Sequence, residues 1–481
     1  MDEARAGSGI LLGKRNPWAF AALLVALLAG LGLLVATMLP KDVLLYLPPA
    51  LTSIFVFVMF WMLLEKRLGE NVFGELGFLY IGYTMAHTVV PAISFMTASF
   101  YQGYQLDQLL PAPADLRAHL WRHVLFESGD AAGYLILRGR ATWKAGAIRE
   151  GRERDTRSLL FVGFLIVVSV GATMVLSAPV ESYHDSYLRY DHLPWLLHKF
   201  VSLCIRMSLG LYCVLLVFLF RNYEKYRLII PVVVVAICAH EIVYSEGARI
   251  QALLVILQAV FLYHYMVRKI SLKWGLLACL ALGVFFSIIE AVRMLDLSFG
   301  TAQSAIADEG LKPSEEFISV FFPGFHLYAE RAAGSLPPRE WPMFFNDFIS
   351  LFTFGAFARW NTMDWYARNY YPMSDVAPQT LGPIADSAIW GGEWDLLARS
   401  VINGLFFAYI ARWFVRRGNR WWGMTVYIYC CATCILVLKY SIFLHLVLIE
   451  KNLLPVLLLV HAARVLRLKQ PTEAGAAVGA A

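Results

Sequence analysis

Charge is what this sequence has least of. Asp, Glu, Lys and Arg make up 16% of its 481 residues, whereas 59% are hydrophobic. A soluble domain carries roughly 25% charged residues, and a mean hydropathy of +0.59 is too apolar for one. Two paired CxxC motifs are also lacking. Cys204, Cys213, Cys238, Cys279, Cys430, Cys431 and Cys434 all fall inside apolar stretches, which argues against a disulfide framework and against a zinc site built on paired spacing. There is no Walker A loop, no HExxH and no GxSxG, so the usual marks of nucleotide, zinc-protease and hydrolase chemistry are missing. No repeat of fixed period is visible, nor the two matching broken helices that many transporters carry. The first apolar block, Trp18 to Leu39, is too long for a signal-peptide core and lacks a cleavage site, which predicts an uncleaved first helix. The net charge of +6 sits in short clusters at the ends of apolar blocks and does not suggest nucleic acid.

What is present is a series of apolar blocks of bilayer-crossing length, roughly 20 residues each. Backbone in lipid must satisfy its own hydrogen bonds, so such blocks are expected to be helices. Spans are expected near 18–39, 44–64, 73–98, 158–179, 199–220, 227–245, 250–267, 273–295, 390–412, 420–439 and 442–465. Eleven spans would strand the basic run Arg138 to Arg157 on the side opposite Arg5, Lys14 and Arg15, against the positive-inside rule. A twelfth, more polar helix at 116–137 (LRAHLWRHVLFESGDAAGYLIL) removes the conflict, its polar residues turned to a cavity instead of lipid. The alternative makes that segment an interfacial amphipathic helix.

The expected fold is therefore an all-α polytopic membrane protein of about 12 transmembrane helices, multi-pass in a bacterial inner membrane, with both termini cytoplasmic. The sequence divides into nine spans over 1–295, a long, partly helical periplasmic loop over 296–389 between spans 9 and 10, three spans over 390–469, and a disordered tail over 470–481. The loop holds an amphipathic stretch, SEEFISVFFPGFHLYAERA, and an aromatic-rich run that follows it.

Three local features carry candidate chemistry. In HEIVYSEGARIQALLVIL, Arg249 opens an apolar helix just after Glu246-Gly247, and an arginine beside free backbone N–H groups attracts phosphate. An arginine there also suits lipid headgroups by snorkelling. His240 and Glu241 lie a turn or two inside the membrane, as a functional pair or a structural one. In the loop, Arg331, Arg339, Arg359 and Arg368 stand among aromatics. Convergent arginines hold a diphosphate and aromatic faces stack on sugars, although an aromatic belt explains the composition as well. In APQTLGPIADSAIWGGEWDLLARSVINGLFFAYI, Pro378 and Gly382 mark a turn, Gly391-Gly392 permit close helix approach, and Asp386, Glu393 and Asp395 are carboxylates for acid–base work, caps, or partners of Arg399. Glu450-Lys451, with His445, lies inside the last span. His184, Asp185, Asp191 and His192 are too loosely spaced for a metal site, and none is assigned.

Together, the SEGAR turn opening a mid-chain span, the large outward loop, and its Pro-containing ending before a Gly-rich helix resemble the Wzy-type O-antigen and exopolysaccharide repeat-unit polymerases. The resemblance covers roughly 200–415 in pattern and the N-terminal half in topology only. It implies a GT-C-like membrane glycosyltransferase acting on undecaprenyl-diphosphate-linked oligosaccharides at the periplasmic face, with no cofactor, beside membrane lipids and a polysaccharide chain-length regulator. Arg249 matches the family's mid-chain arginine for donor diphosphate. Arg331, Arg359 and Arg368 are candidates for its loop arginines, with Trp360, Trp365 and Tyr370 as sugar-binding aromatics. Glu450-Lys451 departs from the family, many members of which carry Arg-Gly near there. For the base that takes the acceptor proton, the candidates are Glu246, His326 and Asp386. The competing functions are an O-antigen ligase, a transporter or flippase using His240, Glu241, Glu450 and Lys451, and an inactive scaffold.

Overall fold

The computed structural model describes residues 43–69, 72, 74–96, 112–142, 152–178, 190–244, 248–271, 274, 315–339, 349, 352–353, 362–370, 381–440 and 442–468. Among these there is no strand. The helices are α1 (Leu47–Leu68), α2 (Leu76–Met96), α3 (Pro113–Leu137), α4 (Arg152–Val175), α5 (Trp195–Arg221), α6 (Ile229–Tyr244), α7 (Ala248–Met266), α8 (Glu315–Ala333), α9 (Thr362–Tyr370), α10 (Pro383–Ile389), α11 (Glu393–Arg417), α12 (Trp421–Thr433) and α13 (Ile442–Leu468). A 3-10 turn, Val43–Tyr46, leads into α1, and another, Cys434–Leu438, prolongs α12. The expected spans at 18–39 and 273–295 lie outside the described residues, apart from Trp274.

Six described helical segments are long and apolar enough to cross a membrane: Leu44–Leu68, Leu76–Met96, Arg157–Val175, Trp195–Arg221, Trp421–Leu438 and His445–Val465. Ile229–Tyr244 and Ile250–Met266 are apolar but shorter. Leu160, Phe164 and Val167 on α4, and Val232 and Val235 on α6, stand exposed. Contiguous apolar surface of this kind is unstable in water and suits lipid. The chain is a helical membrane protein.

α5 and α12 form much of the interior. On α12 nearly every side chain from Trp421 to Leu438 is buried. Cys213, Cys430, Cys431 and Cys434 are free, buried thiols that act as small hydrophobes. His240 is held in place by Thr173 (2.9 Å), Tyr212 (3.2 Å) and Glu241 (3.4 Å), so the His240–Glu241 pair knits α4, α5 and α6 together.

α3 and α11 make the most extensive helix pair. A Cβ added at Gly129 would collide with the Ser400 hydroxyl, one at Gly133 with the Val401 carbonyl, and one at Gly404 with the Asp130 carbonyl. Gly129 and Gly133 are four residues apart, the small-xxx-small spacing that lets membrane helices approach backbone to backbone. The polar segment 116–137 is therefore a helix inside the bundle, in contact with α1, α2 and α11.

The helix ends are sorted. Arg67 donates to the Leu135 carbonyl, joining the C-termini of α1 and α3. Arg138 pairs with Glu75 at the start of α2. Arg464 on α13 lies over Phe218 of α5 (5.8 Å) and Trp421 of α12 (5.6 Å). These basic residues mark one end of the bundle. α8 packs against the N-terminal half of α3, toward the other end.

Candidate functional site

Gly391-Gly392 are expected to let helices approach closely; in the structure they lie instead between two helices, α10 and α11. Pro383 suits the first turn of α10, which runs only to Ile389. Gly392 then takes a positive φ of 69° and its N–H reaches back to the Ser387 carbonyl at 2.6 Å. The glycine pair thus makes the α10–α11 turn rather than a helix–helix contact, and that contact belongs to Gly129, Gly133 and Gly404. A second constraint acts at Gly392: a Cβ there would stand 3.2 Å from Arg331 Nε.

The last carbonyls of a helix need donors from elsewhere. Arg331 Nη1 donates to Ala388 O (2.8 Å) and Trp390 O (3.4 Å), and Arg339 Nη1 donates to Ile389 O and Trp390 O (both 2.9 Å). These arginines therefore tie α8 and the segment after it to the end of α10. Asp386 is buried on α10 and meets Arg399 Nη1 of α11 at 3.4 Å, while Arg399 Nε meets Asp395 at 2.7 Å. Asp386 is a partner of Arg399.

Arg122 on α3 is placed differently. Its guanidinium lies 4.1 Å above the Tyr328 ring, and its Nε meets Glu393 at 3.3 Å. The Arg122 side chain is 22% exposed and that of Glu393 62%, so solvent weakens this pair and Glu393 is readily exchanged. Tyr328 shares a 2.9 Å hydrogen bond with Ser387. Burial pushes the Tyr328 hydroxyl up to about 12, so it acts as a neutral hydrogen-bonding group. On the opposite side of α8, His326 faces Glu330 at 3.7 Å and the Tyr370 ring at 5.0 Å, and Tyr370 donates to Glu330. Burial, with that bond to Glu330, raises the Tyr370 hydroxyl as well. Trp365 is buried, with its indole N–H on the Pro338 carbonyl at 3.1 Å.

The structure thus brings His326, Arg331, Trp365, Tyr370 and Asp386 around α8, α9 and α10. Arg368 is exposed on α9. Arg249 is the second residue of α7, whose main neighbours are α5, α6 and α12, whereas α8 packs on α2, α3 and α10. Glu246, Arg359 and Trp360 lie outside the described residues. The sequence reading passed over Arg122, Tyr328 and Glu330. A signal existed for Arg122, which stands beside His123 on a polar face in a segment already expected to be embedded. Tyr328 had none, because its importance comes from a contact between distant segments.

Beneath α8 the interior stays polar. His119 and His123 stand 5.1 Å apart, and Phe321 stacks on His123 at 5.3 Å and 16°. The arrangement offers cationic forks, neutral phenols and a His–carboxylate pair at one rim, closed on its inner side by aromatic rings. Comparison with protein-family models, with characterised proteins and with solved structures returned no match to this chain.

Proposed function

We propose that the chain is a membrane-embedded glycosyltransferase that polymerises undecaprenyl-diphosphate-linked oligosaccharide repeat units. The observation that carries the reading is amphipathic α8 lying across the end of α3, with Arg122, Tyr328 and Glu393 on one side and His326, Glu330 and Tyr370 on the other. In this reading twelve spans cross the inner membrane with both termini in the cytoplasm. The positive-inside rule then turns the α8 end toward the periplasm.

The chemistry follows from the groups available. An acceptor hydroxyl oxygen attacks the anomeric carbon of the lipid-linked donor, the bond from that carbon to the diphosphate oxygen breaks, and lipid diphosphate leaves. The enzyme must offset the charge that grows on the leaving diphosphate, and fixed cations in a water-poor site do this best. Arg122 is the cation with the most replaceable partner, so a phosphate takes the place of Glu393. Arg249 is the second cation of the proposal, joined by Arg359 and Arg368. Arg331 serves by holding the α10–α11 turn. His326, oriented by Glu330, takes the acceptor proton. Tyr370 and the exposed Trp394 offer ring faces to sugars. Trp365 supports them from behind, and Asp386 fixes Arg399.

The test is the lipid-linked glycan profile of a deletion strain. Single repeat units accumulating on the carrier support polymerase. Full-length chains left unattached favour a ligase instead. Units trapped on the cytoplasmic leaflet favour a flippase, the reading that the buried polar face of α3 would serve. A wild-type profile sinks all three.

A further inference from the structure

α3 carries a stripe of buried titratable groups that the proposed transfer reaction does not use. His119, His123, Glu127, Asp130 and Tyr134 recur every three or four residues, so they share one face of the helix. All five are almost fully buried. Midway along, the stripe changes character. Glu127 and Asp130, one turn apart, carry three carboxylate oxygens without a hydrogen-bond partner: Glu127 Oε1 and both oxygens of Asp130. The fourth, Glu127 Oε2, accepts a bond from Ser53 of α1. Across the tight α3–α11 contact, Asn403 Oδ1 is also buried and unpartnered. Asn403 Nδ2 reaches the Tyr80 hydroxyl at 3.5 Å, and Tyr80 stands beside Asp130 without closing a bond of normal geometry.

Every unsatisfied atom in this group is an acceptor. The neighbouring elements offer few free donors. α1 gives Ser53, already used. α2 gives Tyr80, Thr84, whose hydroxyl bonds the Tyr80 carbonyl, and His87, which lies toward His123 and Lys439. α11 gives Asn403 and Ser400, whose hydroxyl bonds Leu397 O. Arg399, a turn away, is tied to Asp386 of α10 and Asp395. At the basic end Arg138 is tied to Glu75, to which Tyr134 also donates. Tyr328 of α8 bonds Ser387, and Tyr46 of the first 3-10 turn packs on Phe95. None of these supplies a positive charge to Glu127 or Asp130. Buried acceptors without donors are strongly unfavourable, and carboxylates inside a membrane bundle commonly mark ion or proton sites.

We propose that Glu127, Asp130 and Asn403 form a binding site for a small monovalent cation, a sodium ion or a proton, at the centre of the α1–α3–α11 contact. Hard oxygen ligands from carboxylates, an amide and nearby hydroxyls suit such a cation. Among the described residues no three His, Cys, Asp or Glu side chains converge as a metal-ligand set, which argues against a transition metal. Binding draws α3 and α11 together and so sets the position of the α8 rim. The inference stands apart from the glycosyl-transfer reading.

The experiment is thermal unfolding of the purified full-length protein in detergent, titrated with sodium chloride against N-methylglucamine chloride at constant ionic strength, and repeated between about pH 6 and pH 8. If sodium is the occupant, Tm rises with the logarithm of sodium concentration once the site begins to fill. If a proton is the occupant, sodium has no effect and Tm rises on acidification. In either case Glu127→Gln and Asp130→Asn lose the response, because an amide supplies its own donors. Asn403→Leu, which keeps both carboxylates, weakens a sodium response several-fold. A wild-type Tm indifferent to sodium and to pH overturns the site. So does a response of equal size in the wild type and both amide variants, which would place its origin outside these carboxylates.

Discussion

At the scale of single residues, the arginines that look alike in sequence do different work. Arg331 and Arg339 spend donors on the carbonyls that end α10, Arg399 sits between two carboxylates, and Arg122 keeps one weak, solvent-facing partner. Arg331→Ala should cost about 1–3 kcal/mol, because it removes a donor from buried carbonyls. A melting temperature equal to wild type would contradict that role. Arg122→Ala should lower chain extension by about 100-fold or more if its fork meets the leaving diphosphate, with abundance in the membrane unchanged. Glu393→Gln should extend chains at close to the wild-type rate, since the proposal has phosphate displace that carboxylate. These differences were not legible in the sequence, where spacing shows an arginine but not the carbonyl or ring it meets. Asp386 was legible as a carboxylate with Arg399 as one of its possible partners.

At the scale of elements, legibility was much higher. The expected spans at 44–64, 73–98, 199–220 and 442–465 each have a helix over nearly the same residues, because a block of apolar residues must close its own backbone bonds in lipid. The amphipathic stretch beginning at Ser314 is likewise a helix, Glu315–Ala333. Helix pairing was harder to see. Gly391-Gly392 drew attention as a contact motif, yet the close approach belongs to Gly129, Gly133 and Gly404. A glycine pair signals a tight place without saying whether it is a turn or a contact. Gly133→Val should therefore separate α3 from α11. Overpacking of this kind costs about 1–3 kcal/mol or more, and the expected readout is loss of monodisperse protein in detergent. Gly163→Val, where a Cβ meets nothing within 4 Å, should behave as wild type. Equal behaviour of the two variants would contradict the α3–α11 packing.

For the whole molecule, charge placement alone calls for a polar helix at 116–137. The structure has that helix inside the bundle, its basic C-terminal end beside the C-terminus of α1 and the start of α2. A reporter fused after Glu150 should consequently give a cytoplasmic signal; a periplasmic signal would undo the twelve-span arrangement. The central claim, that the α8 end transfers glycan between lipid diphosphates, is tested most directly in a purified system. Full-length protein in detergent or liposomes is given only undecaprenyl-diphosphate-linked repeat units, and the products are sized. The expected result is a ladder of chains that forms without nucleotide sugar and collapses to single units in Arg122→Ala. A substrate left entirely as single units by folded wild-type protein would contradict the claim.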